Sequence, residues 1–489
     1  MIMKSLNKIP SGIEGFDSIS MGGIPKERMS LIMGTPGIGK TIFCVQYLLG
    51  GIESANEPGV FVTFEESPDE IKLNMKGFGW DIQNYIDKGL LKFVDISPRF
   101  NDNETIMGEY DLSGLILRIK SVVEQIGAKR IAIDSVATLF NTYPNHNLIR
   151  REIIKLKSCL KSLTVTSLLT SERYDETGVN SHFDVLDFVS DNVIVLKNQM
   201  FEEYRRRTIE ILKYRGAPHK KGQHSFTIKG GKGITIISFE RNPYLPDIER
   251  KRTTTGIEKI DEITSGGFFQ GSSILISGQT GSGKTLLTLA LLNGALKHGE
   301  RCILFNFEES NQQIYHKAKI WNIDLEKAEK DGQFRFFSIY PESLGIEDLI
   351  TDMRSEIQIF SPDRIFIDSI SALERITTPL TFRESLINLF LFAREENIIS
   401  VFTTTTPSFS GPIIGSEKHI STLSDMVILL RYFENKGELI RALAIMKMRD
   451  SDHSKHFWKY MIDNNGIHFL GKLEGNVGLF SSMNNKRDL

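Results

Sequence analysis

The sequence predicts an α/β protein with two tandem domains, each a mostly parallel central sheet flanked by helices and carrying an antiparallel extension. Residues 11–41 recur as residues 255–285 without a gap, and the two segments are identical at 14 of 31 positions. A repeat this long indicates a duplicated domain rather than a solenoid. We therefore expect one domain over residues 1–247 and a second over residues 248–489.

The elements of the first half follow the alternation that a parallel sheet with helices on both faces requires. Short apolar runs rich in β-branched residues predict strands at 29–34, 60–66, 129–135 and 165–171. Amphipathic spacing predicts helices at 41–52 and 148–163. Two later strand-like runs, joined by a short polar segment, predict the antiparallel extension at 192–199 and 205–216, and the second half repeats them at 426–433 and 439–449.

The composition excludes several classes of protein. With 40% hydrophobic and 25% charged residues, the 489-residue chain resembles neither a disordered nor a fibrous protein. Its three cysteines are far apart, fit no CxxC spacing and are expected to be small core residues rather than a disulfide or zinc framework. No apolar stretch approaches the length of a membrane span. The formal charge of −2 makes nucleic acid an unexpected partner, and a cytoplasmic protein is expected.

Each half contains a phosphate-loop motif between a predicted strand and a predicted helix. In this motif backbone N–H groups surround the phosphates, the lysine neutralises the β and γ oxygens, and the threonine completes a Mg²⁺ shell. A glycine-rich surface turn is the alternative, but the match recurs at equivalent places. The sequence therefore predicts two sites for ATP and Mg²⁺, at Gly34-Thr35-Pro36-Gly37-Ile38-Gly39-Lys40-Thr41 and Gly278-Gln279-Thr280-Gly281-Ser282-Gly283-Lys284-Thr285.

Carboxylates follow two strands of each half. Asp134 and Asp368 end apolar strands downstream of the loops, where a direct or indirect Mg²⁺ ligand is expected. Glu65-Glu66 and Glu308-Glu309 follow the second strand of each half, and one glutamate of each pair could orient or deprotonate an attacking water or hydroxyl. An exposed acidic turn leading into a helix is the alternative.

Paired cations end the second strand of each predicted extension. They are Lys213 and Arg215 in the first half, and Lys447 and Arg449 in the second. Strand alternation places both members of a pair on one face. A solvated surface is one interpretation, and cations offered to the triphosphate of a neighbouring subunit are the other.

Together these motifs resemble the KaiC family of duplicated RecA-like ATPases over nearly the whole chain. The resemblance implies two RecA-like P-loop NTPase domains and a two-tiered homohexamer with ATP between subunits. In the first layer Glu65 and Glu66 would promote slow ATP hydrolysis, with Lys213 and Arg215 reaching across from the neighbour. In the second layer Lys447 and Arg449 would act in the same way.

A short segment of the second half, His419-Ile420-Ser421-Thr422, sharpens the resemblance. In the family a Ser-Thr pair at this place receives phosphate from ATP, which implies autokinase and autophosphatase activity. Glu308 would act as the general base and contribute to the Mg²⁺ shell. The first half has Asp187-Phe188 at the aligned positions and no hydroxyl. Trp321 is expected near the adenine, a buried core aromatic being the alternative.

The resemblance also bears on partners and on competing functions. Residues 96–116 resemble the loop region that docks KaiB, so a KaiB-like partner is expected. The tail after Gly471 is shorter than the extension that recruits the KaiA activator, which argues against dependence on KaiA. The alternatives are a RecA- or RadA-like DNA-dependent recombinase or helicase, disfavoured by the near-zero charge, and a non-catalytic nucleotide-gated scaffold, disfavoured by Glu308 and Glu309.

Overall fold

The computed structural model describes residues 6–96, 112–137, 146–172, 184–201, 204–237, 251–406, 416–435 and 438–474. The chain divides into two compact units, Met1–Glu240 and Arg241–Leu489. The predicted boundary between residues 247 and 248 lies outside the described residues and stays a prediction. Among the residues just given, no helix is both long and apolar enough to span a membrane.

The first unit alternates strands and helices along most of its length. Its strands are β1 (Lys8–Ile9), β2 (Ile24–Pro25), β3 (Met29–Gly34), β4 (Gly59–Thr63), β5 (Leu91–Asp95), β6 (Arg130–Asp134), β7 (Thr166–Glu172), β8 (Asn192–Phe201), β9 (Tyr204–Tyr214), β10 (Gln223–Lys229) and β11 (Gly233–Ile236). Its helices are α1 (Phe16–Ile19), α2 (Lys40–Ala55), α3 (Pro68–Lys76), α4 (Ile82–Asp87), α5 (Ser113–Ile126), α6 (His146–Ser162) and α7 (Asp184–Val189).

The second unit repeats this succession. Its strands are β12 (Arg252–Thr253), β13 (Phe268–Phe269), β14 (Ser273–Gly278), β15 (Cys302–Asn306), β16 (Phe334–Ser338), β17 (Arg364–Asp368), β18 (Ile399–Thr405), β19 (Met426–Asn435), β20 (Glu438–Met448), β21 (Trp458–Asp463) and β22 (Gly466–Lys472). Its helices are α8 (Glu258–Ile263), α9 (Lys284–Lys297), α10 (Asn311–Ile320), α11 (Leu325–Lys330), α12 (Ile346–Phe360), α13 (Ile370–Glu374), α14 (Pro379–Glu395) and α15 (Ser416–Leu423).

Each unit is built on a nine-stranded sheet with the same strand order. The order is β11-β10-β9-β8-β3-β7-β6-β4-β5 in the first unit and β22-β21-β20-β19-β14-β18-β17-β15-β16 in the second. In the first unit the six strands from β8 to β5 in this order pair in parallel, whereas β8–β9, β9–β10 and β10–β11 pair antiparallel. This confirms the predicted α/β class, but the extension is two strands longer than the sequence indicated.

The central strands are apolar on both faces, which explains why helices cover both sides of the sheet. Leu31 and Ile32 are adjacent on β3 and fully buried, yet they belong to different core clusters. Successive strand residues point to opposite faces, so each face of this strand needs its own layer of helices. The carboxyl ends of the parallel strands are thereby left at one sheet edge, where such folds bind ligands.

A β-bulge lies at the same place in both antiparallel extensions. The register between β8 and β9 shifts after Val193, and the register between β19 and β20 shifts after Val427. The extra residue of each bulge is apolar and exposed, Leu212 at 50% and Met446 at 46%. A bulge re-aims the side chains next to it. Here it adjoins Lys213 and Lys447.

Candidate functional site

The two predicted phosphate loops each join a buried central strand to a long helix, β3 to α2 and β14 to α9. The helices begin after Gly39 and Gly283, whose φ angles of 106° and 95° favour glycine. A Cβ at these positions would lie 2.7 Å from Ile228 and 2.6 Å from Ile462. No side chain caps either helix start. The first-turn N–H groups therefore suit a phosphate.

The loop lysines are buried and point back into their own loops. Lys40 Nζ donates hydrogen bonds to the carbonyls of Gly34 and Thr35 at 3.0 and 3.1 Å. Lys284 Nζ makes the equivalent bonds in the second unit at 2.9 and 3.0 Å. Burial lowers the pKa of both lysines. An anionic ligand would relieve this desolvation, since it favours the charged ammonium.

The two lysines differ in the carboxylates around them. For Lys40, the carboxylates that oppose the effect of burial are Glu172, Asp134 and Glu65. For Lys284, they are Asp368 and Glu308. The first site therefore has one more acidic group close to its lysine than the second.

Glu172 is a site residue that the sequence analysis missed. It ends β7 and pairs with Gly34 in the parallel register, whereas Thr405 pairs with Gly278 in the second unit. Motifs shared by both halves do not include this acidic position. The available signal was a predicted strand that is followed by a carboxylate at the ligand-binding edge.

A threonine and an aspartate meet in each unit where Mg²⁺ is predicted. Thr41 Oγ1 donates to Asp134 Oδ2 at 2.6 Å. Asp368 accepts from the hydroxyls of Thr285 and, at 2.5 Å, Thr403. Burial raises the pKa of Asp368, and these hydroxyl donors oppose the rise. Hydroxyl and carboxylate oxygens are hard ligands, so the donor set fits Mg²⁺ completed by phosphate oxygens and water.

The glutamate pairs occupy the turn between a strand and a helix. Glu65-Glu66 follows β4 and Glu308-Glu309 follows β15. The next residues, Ser67 and Ser310, form capping boxes at the starts of α3 and α10. Glu308 Oε1 accepts a hydrogen bond of 3.4 Å from Ser369 Oγ, beside Asp368. The pairs are thus both helix-entry turns and neighbours of the predicted Mg²⁺ ligands.

The second glutamate of each pair has a different partner in the two units. Glu66 accepts from the amide of Asn74 at 3.2 Å, and burial and Asp134 raise its pKa. Glu309 instead forms a 2.5 Å ion pair with Lys317. One carboxylate is therefore held by a neutral group and the other by a cation.

The structure places the first cation pair at the end of the short helix α7. Lys213 Nζ donates to the carbonyls of Asp187 and Ser190 at 2.6 and 2.8 Å. Arg215 Nη2 approaches the carbonyl of Phe188 at 3.4 Å. Cations at these carbonyls satisfy the C-terminal end of the helix.

The second cation pair makes the same contacts with α15, which carries the predicted acceptors. Lys447 Nζ donates to the carbonyls of Ser421 and Ser424 at 2.8 and 2.7 Å. Arg449 Nη2 donates to the carbonyl of Thr422 at 2.7 Å. Ser421 is half-buried and Thr422 is exposed. The structure therefore joins the predicted acceptors to the predicted interface cations within one chain, a link that the sequence did not indicate.

The predictions for Trp321 and for the partner-binding segments are not tested by the described residues. Trp321 follows the last turn of α10 and packs, partly buried, against the main core cluster of the second unit. Its position near an adenine stays a prediction. Of the segment proposed to meet a KaiB-like partner, residues 97–111 lie outside the described residues, as do residues 475–489 of the tail.

Comparisons with known proteins cover nearly the whole chain. A family model described as the KaiC ATPase matches residues 9–241 and again residues 253–474. A circadian clock protein KaiC3 from Synechocystis is 43% identical over 472 residues, 96% of this chain and 93% of that protein. A circadian clock oscillator protein KaiC from Thermostichus vulcanus is 44% identical over 476 residues, 97% and 91% of the two chains. One from Acaryochloris marina is 43% identical over 490 residues, 99% and 94% of the two chains.

Proposed function

The chain belongs to the KaiC family of ATPases, and we propose that its second unit is also an autokinase that phosphorylates Ser421 and Thr422. The first unit would hydrolyse ATP. The observation that carries this proposal is the contrast between the helix ends held by the two cation pairs. Thr422 occupies this place in the second unit, and Phe188, which has no hydroxyl, occupies it in the first.

The proposed transfer uses groups at the second phosphate loop. Lys284 and the first turn of α9 bind the triphosphate, while Thr285 and Asp368 hold Mg²⁺, which when bound neutralises charge on the phosphates. Glu308 accepts the proton of the acceptor hydroxyl as that oxygen bonds to the γ-phosphorus. The bond to the bridging oxygen breaks, and ADP leaves. Autophosphatase activity would remove the phosphate from the same residues.

We further propose that ATP lies between neighbouring copies in a homohexamer. Phe188 is 69% exposed and Leu212 is 50% exposed, beside the Arg215 cation. Met446, next to Lys447, is also exposed. Exposed apolar side chains next to these cations suit a surface that a second copy covers while bringing an anion. In this arrangement Lys213, Arg215, Lys447 and Arg449 act on the nucleotide of the neighbour.

The proposed role is regulatory, with the phosphorylation state of α15 as the signal. Relatives with this architecture are named circadian clock proteins, which supports a clock-like role here. We propose a KaiB-like partner at the first unit. This partner proposal rests on residues 96–116, whose sequence resembles the loop region that docks KaiB in the family.

Incubation with ATP labelled at the γ-phosphate tests the proposal. The parent protein should take up label, the Ser421→Ala/Thr422→Ala variant should lose it, and Glu308→Gln should lower it about 100-fold or more. Unchanged uptake in the alanine variant would mean that other residues are the acceptors. ATP hydrolysis by the parent with no uptake would remove the autokinase and leave the ATPase. Single-stranded DNA should leave hydrolysis unchanged, because stimulation would favour a recombinase or helicase.

A further inference from the structure

Asp425 lies two residues after the acceptor helix α15 and is 4% exposed. Its Oδ2 atom accepts hydrogen bonds from Ser273 N at 3.0 Å and Ser273 Oγ at 3.2 Å. The same atom is 2.6 Å from Arg394 Nη2, and its Oδ1 atom is 3.8 Å from Arg449 Nη1. One buried carboxylate therefore connects the phosphate-loop strand, the end of α14 and an interface cation.

The main chain of Asp425 strengthens these connections. Its N–H donates to the carbonyl of Ser273 at 2.8 Å, and its carbonyl accepts from the N–H of Arg449 at 2.9 Å. Ser273 begins β14, whose other end is the second phosphate loop. Asp425 thus contacts both the main-chain N–H of Arg449 and its guanidinium.

Arg449 in turn contacts the helix end that carries the predicted acceptors. Its guanidinium binds the Thr422 carbonyl at 2.7 Å, and Lys447 binds the Ser421 carbonyl at 2.8 Å. The last turn of α15 is therefore held from outside by two cations, one of which faces Asp425. A shift of the Arg449 side chain would move the peptide that carries Thr422, and small displacements of reacting groups are costly in rate.

The ionised form of Asp425 is the one that these contacts favour. Burial opposes ionisation, but the Ser273 N–H and the Arg394 guanidinium outweigh it and hold the pKa of Asp425 below its ordinary value. A charged carboxylate attracts both arginines, whereas a neutral amide of the same size would keep an acceptor for Ser273 and lose that attraction. Asp425→Asn is therefore the substitution that separates charge from shape.

The first unit contains the same arrangement without an acceptor. Asp191 accepts from Met29 N at 3.2 Å and lies 2.8 Å from Lys157 Nζ and 3.9 Å from Arg215 Nη1. Its helix end carries Phe188 in place of a hydroxyl residue. Asp191→Asn therefore removes an equivalent charge with no direct effect on Ser421 or Thr422, which makes it a matched control.

We propose that Asp425 is a positioning residue for phosphoryl transfer, which holds Arg449 and the acceptor helix in place against the nucleotide of the neighbouring copy. This inference rests on the proposed function. It assigns Asp425 to the subunit that receives the phosphate. The competing possibility is that Asp425 serves the nucleotide of its own chain through Ser273 and β14.

Mixed assemblies of two inactive chains distinguish these possibilities. Asp425→Asn and Glu308→Gln chains are co-expressed with different affinity tags, purified through both tags and given γ-labelled ATP with Mg²⁺. An Asp425→Asn chain retains Glu308, so the ATP that it binds can still donate phosphate. A Glu308→Gln chain retains Asp425, so its Ser421 and Thr422 can still receive that phosphate. In an equal mixture about a quarter of head-to-tail interfaces pair them in that productive order.

We expect label uptake by each variant alone to be at least about tenfold below that of the parent. In Asp425→Asn the acceptors are misplaced, and in Glu308→Gln the general base is missing. The mixture should recover about a quarter of the parent signal, on the Glu308→Gln chain alone. ATP affinity of Asp425→Asn should equal that of the parent. The Asp191→Asn control should label Ser421 and Thr422 within about twofold of the parent, because the charge that it removes faces the cation pair of the first unit.

Several results would overturn the inference. Parental labelling by Asp425→Asn alone, no recovery in the mixture, or recovery on the Asp425→Asn chain would each contradict it while leaving the autokinase intact in the parent. A parent that takes up no label would overturn both proposals together. If Asp425→Asn does not fold, Asp425→Glu, which retains the charge but moves it, is used in the same mixture with the same expected pattern.

Discussion

The two units share a strand order, a phosphate loop and a cation pair, yet they differ in a few side chains near the loop lysine and at the helix end that the cations hold. Lys40 has Glu172 nearby in addition to two carboxylates like those around Lys284. The helix end held by the cations carries Phe188 in one unit and Thr422 in the other. On the proposed function, the difference teaches that one scaffold can direct a phosphoryl group to water or to protein through a few side chains.

The shared features are as informative as the differences. Asp191 and Asp425 connect the same elements in their units, and each faces the arginine of its cation pair. The machinery that holds the helix end is therefore not what separates the units. On the proposed function, the presence of a hydroxyl and the count of nearby carboxylates separate them.

The largest expected effect comes from removing each loop lysine in turn. Lys284→Ala should lower labelling of Ser421 and Thr422 about 100-fold or more, because the phosphate charge loses its partner in a buried site. Lys40→Ala should lower hydrolysis at the first site and leave labelling within about threefold of the parent, since the sites are separate. Labelled-ATP uptake and phosphate release measure these effects, with size-exclusion chromatography as the control for assembly. Equal loss of label in both variants, with assembly intact, would contradict two separable sites.

A substitution that gives the first unit a hydroxyl tests the contrast directly. In Asp187→Ser/Phe188→Thr, the helix end that Lys213 and Arg215 hold gains acceptors like those of the second unit. We expect label in the first unit at about a tenth of the level in the second, since the new hydroxyl is not optimally placed. Phosphopeptide mapping measures it, and Phe188→Ala is the control. Absence of label, with first-site hydrolysis intact, would show that the missing hydroxyl is not the decisive difference.

A smaller effect is expected from the extra carboxylate of the first site. Glu172→Thr copies Thr405 and should slow first-site hydrolysis about threefold to tenfold, because a charge close to the reacting groups is removed. The measurement is phosphate release in a Lys284→Ala background, which silences the second site. The reciprocal Thr405→Glu should leave first-site hydrolysis unchanged. A faster rate for Glu172→Thr would mean that this carboxylate opposes hydrolysis.

The smallest effect is a pH dependence of stability from Asp425. Because its folded pKa is lowered, its contribution is present above the unfolded value of about 3.9 and is lost as pH falls through the folded pKa. Asp425→Asn cannot titrate, so the difference in Tm between parent and variant should shrink as the pH is lowered toward about 3. Thermal unfolding at a series of pH values measures this. A difference that stays constant with pH would contradict the assigned charge.

Much of the fold could be predicted because its signals are local. The repeated halves, the buried runs of β3 and β14 and the helices that follow them are all visible as contiguous patterns. The outer strands β10 and β11 were missed, since the polar residues of β10 and the shortness of β11 give a weak alternation. Their pairing depends on β9, which the sequence alone does not place.

The site was predictable where its residues form contiguous motifs. Lys40 and Thr41 are adjacent in the sequence, and the glutamate pairs recur after equivalent strands. Glu172 was missed because the second unit has no acidic residue there. The role of Asp425 was missed although its Ser-Asp step repeats at residues 190–191 and 424–425, because the contacts with Ser273 and Arg394 come from elements far away in sequence.

Site-resolved mapping of the phosphate tests the central claim most directly. The parent protein, incubated with γ-labelled ATP and Mg²⁺ and then digested, should carry label on Ser421 and Thr422 and none on the first unit, while both units release phosphate. Label on the first unit, or a second unit that hydrolyses ATP and never becomes labelled, would contradict the division of the two sites between hydrolysis and transfer.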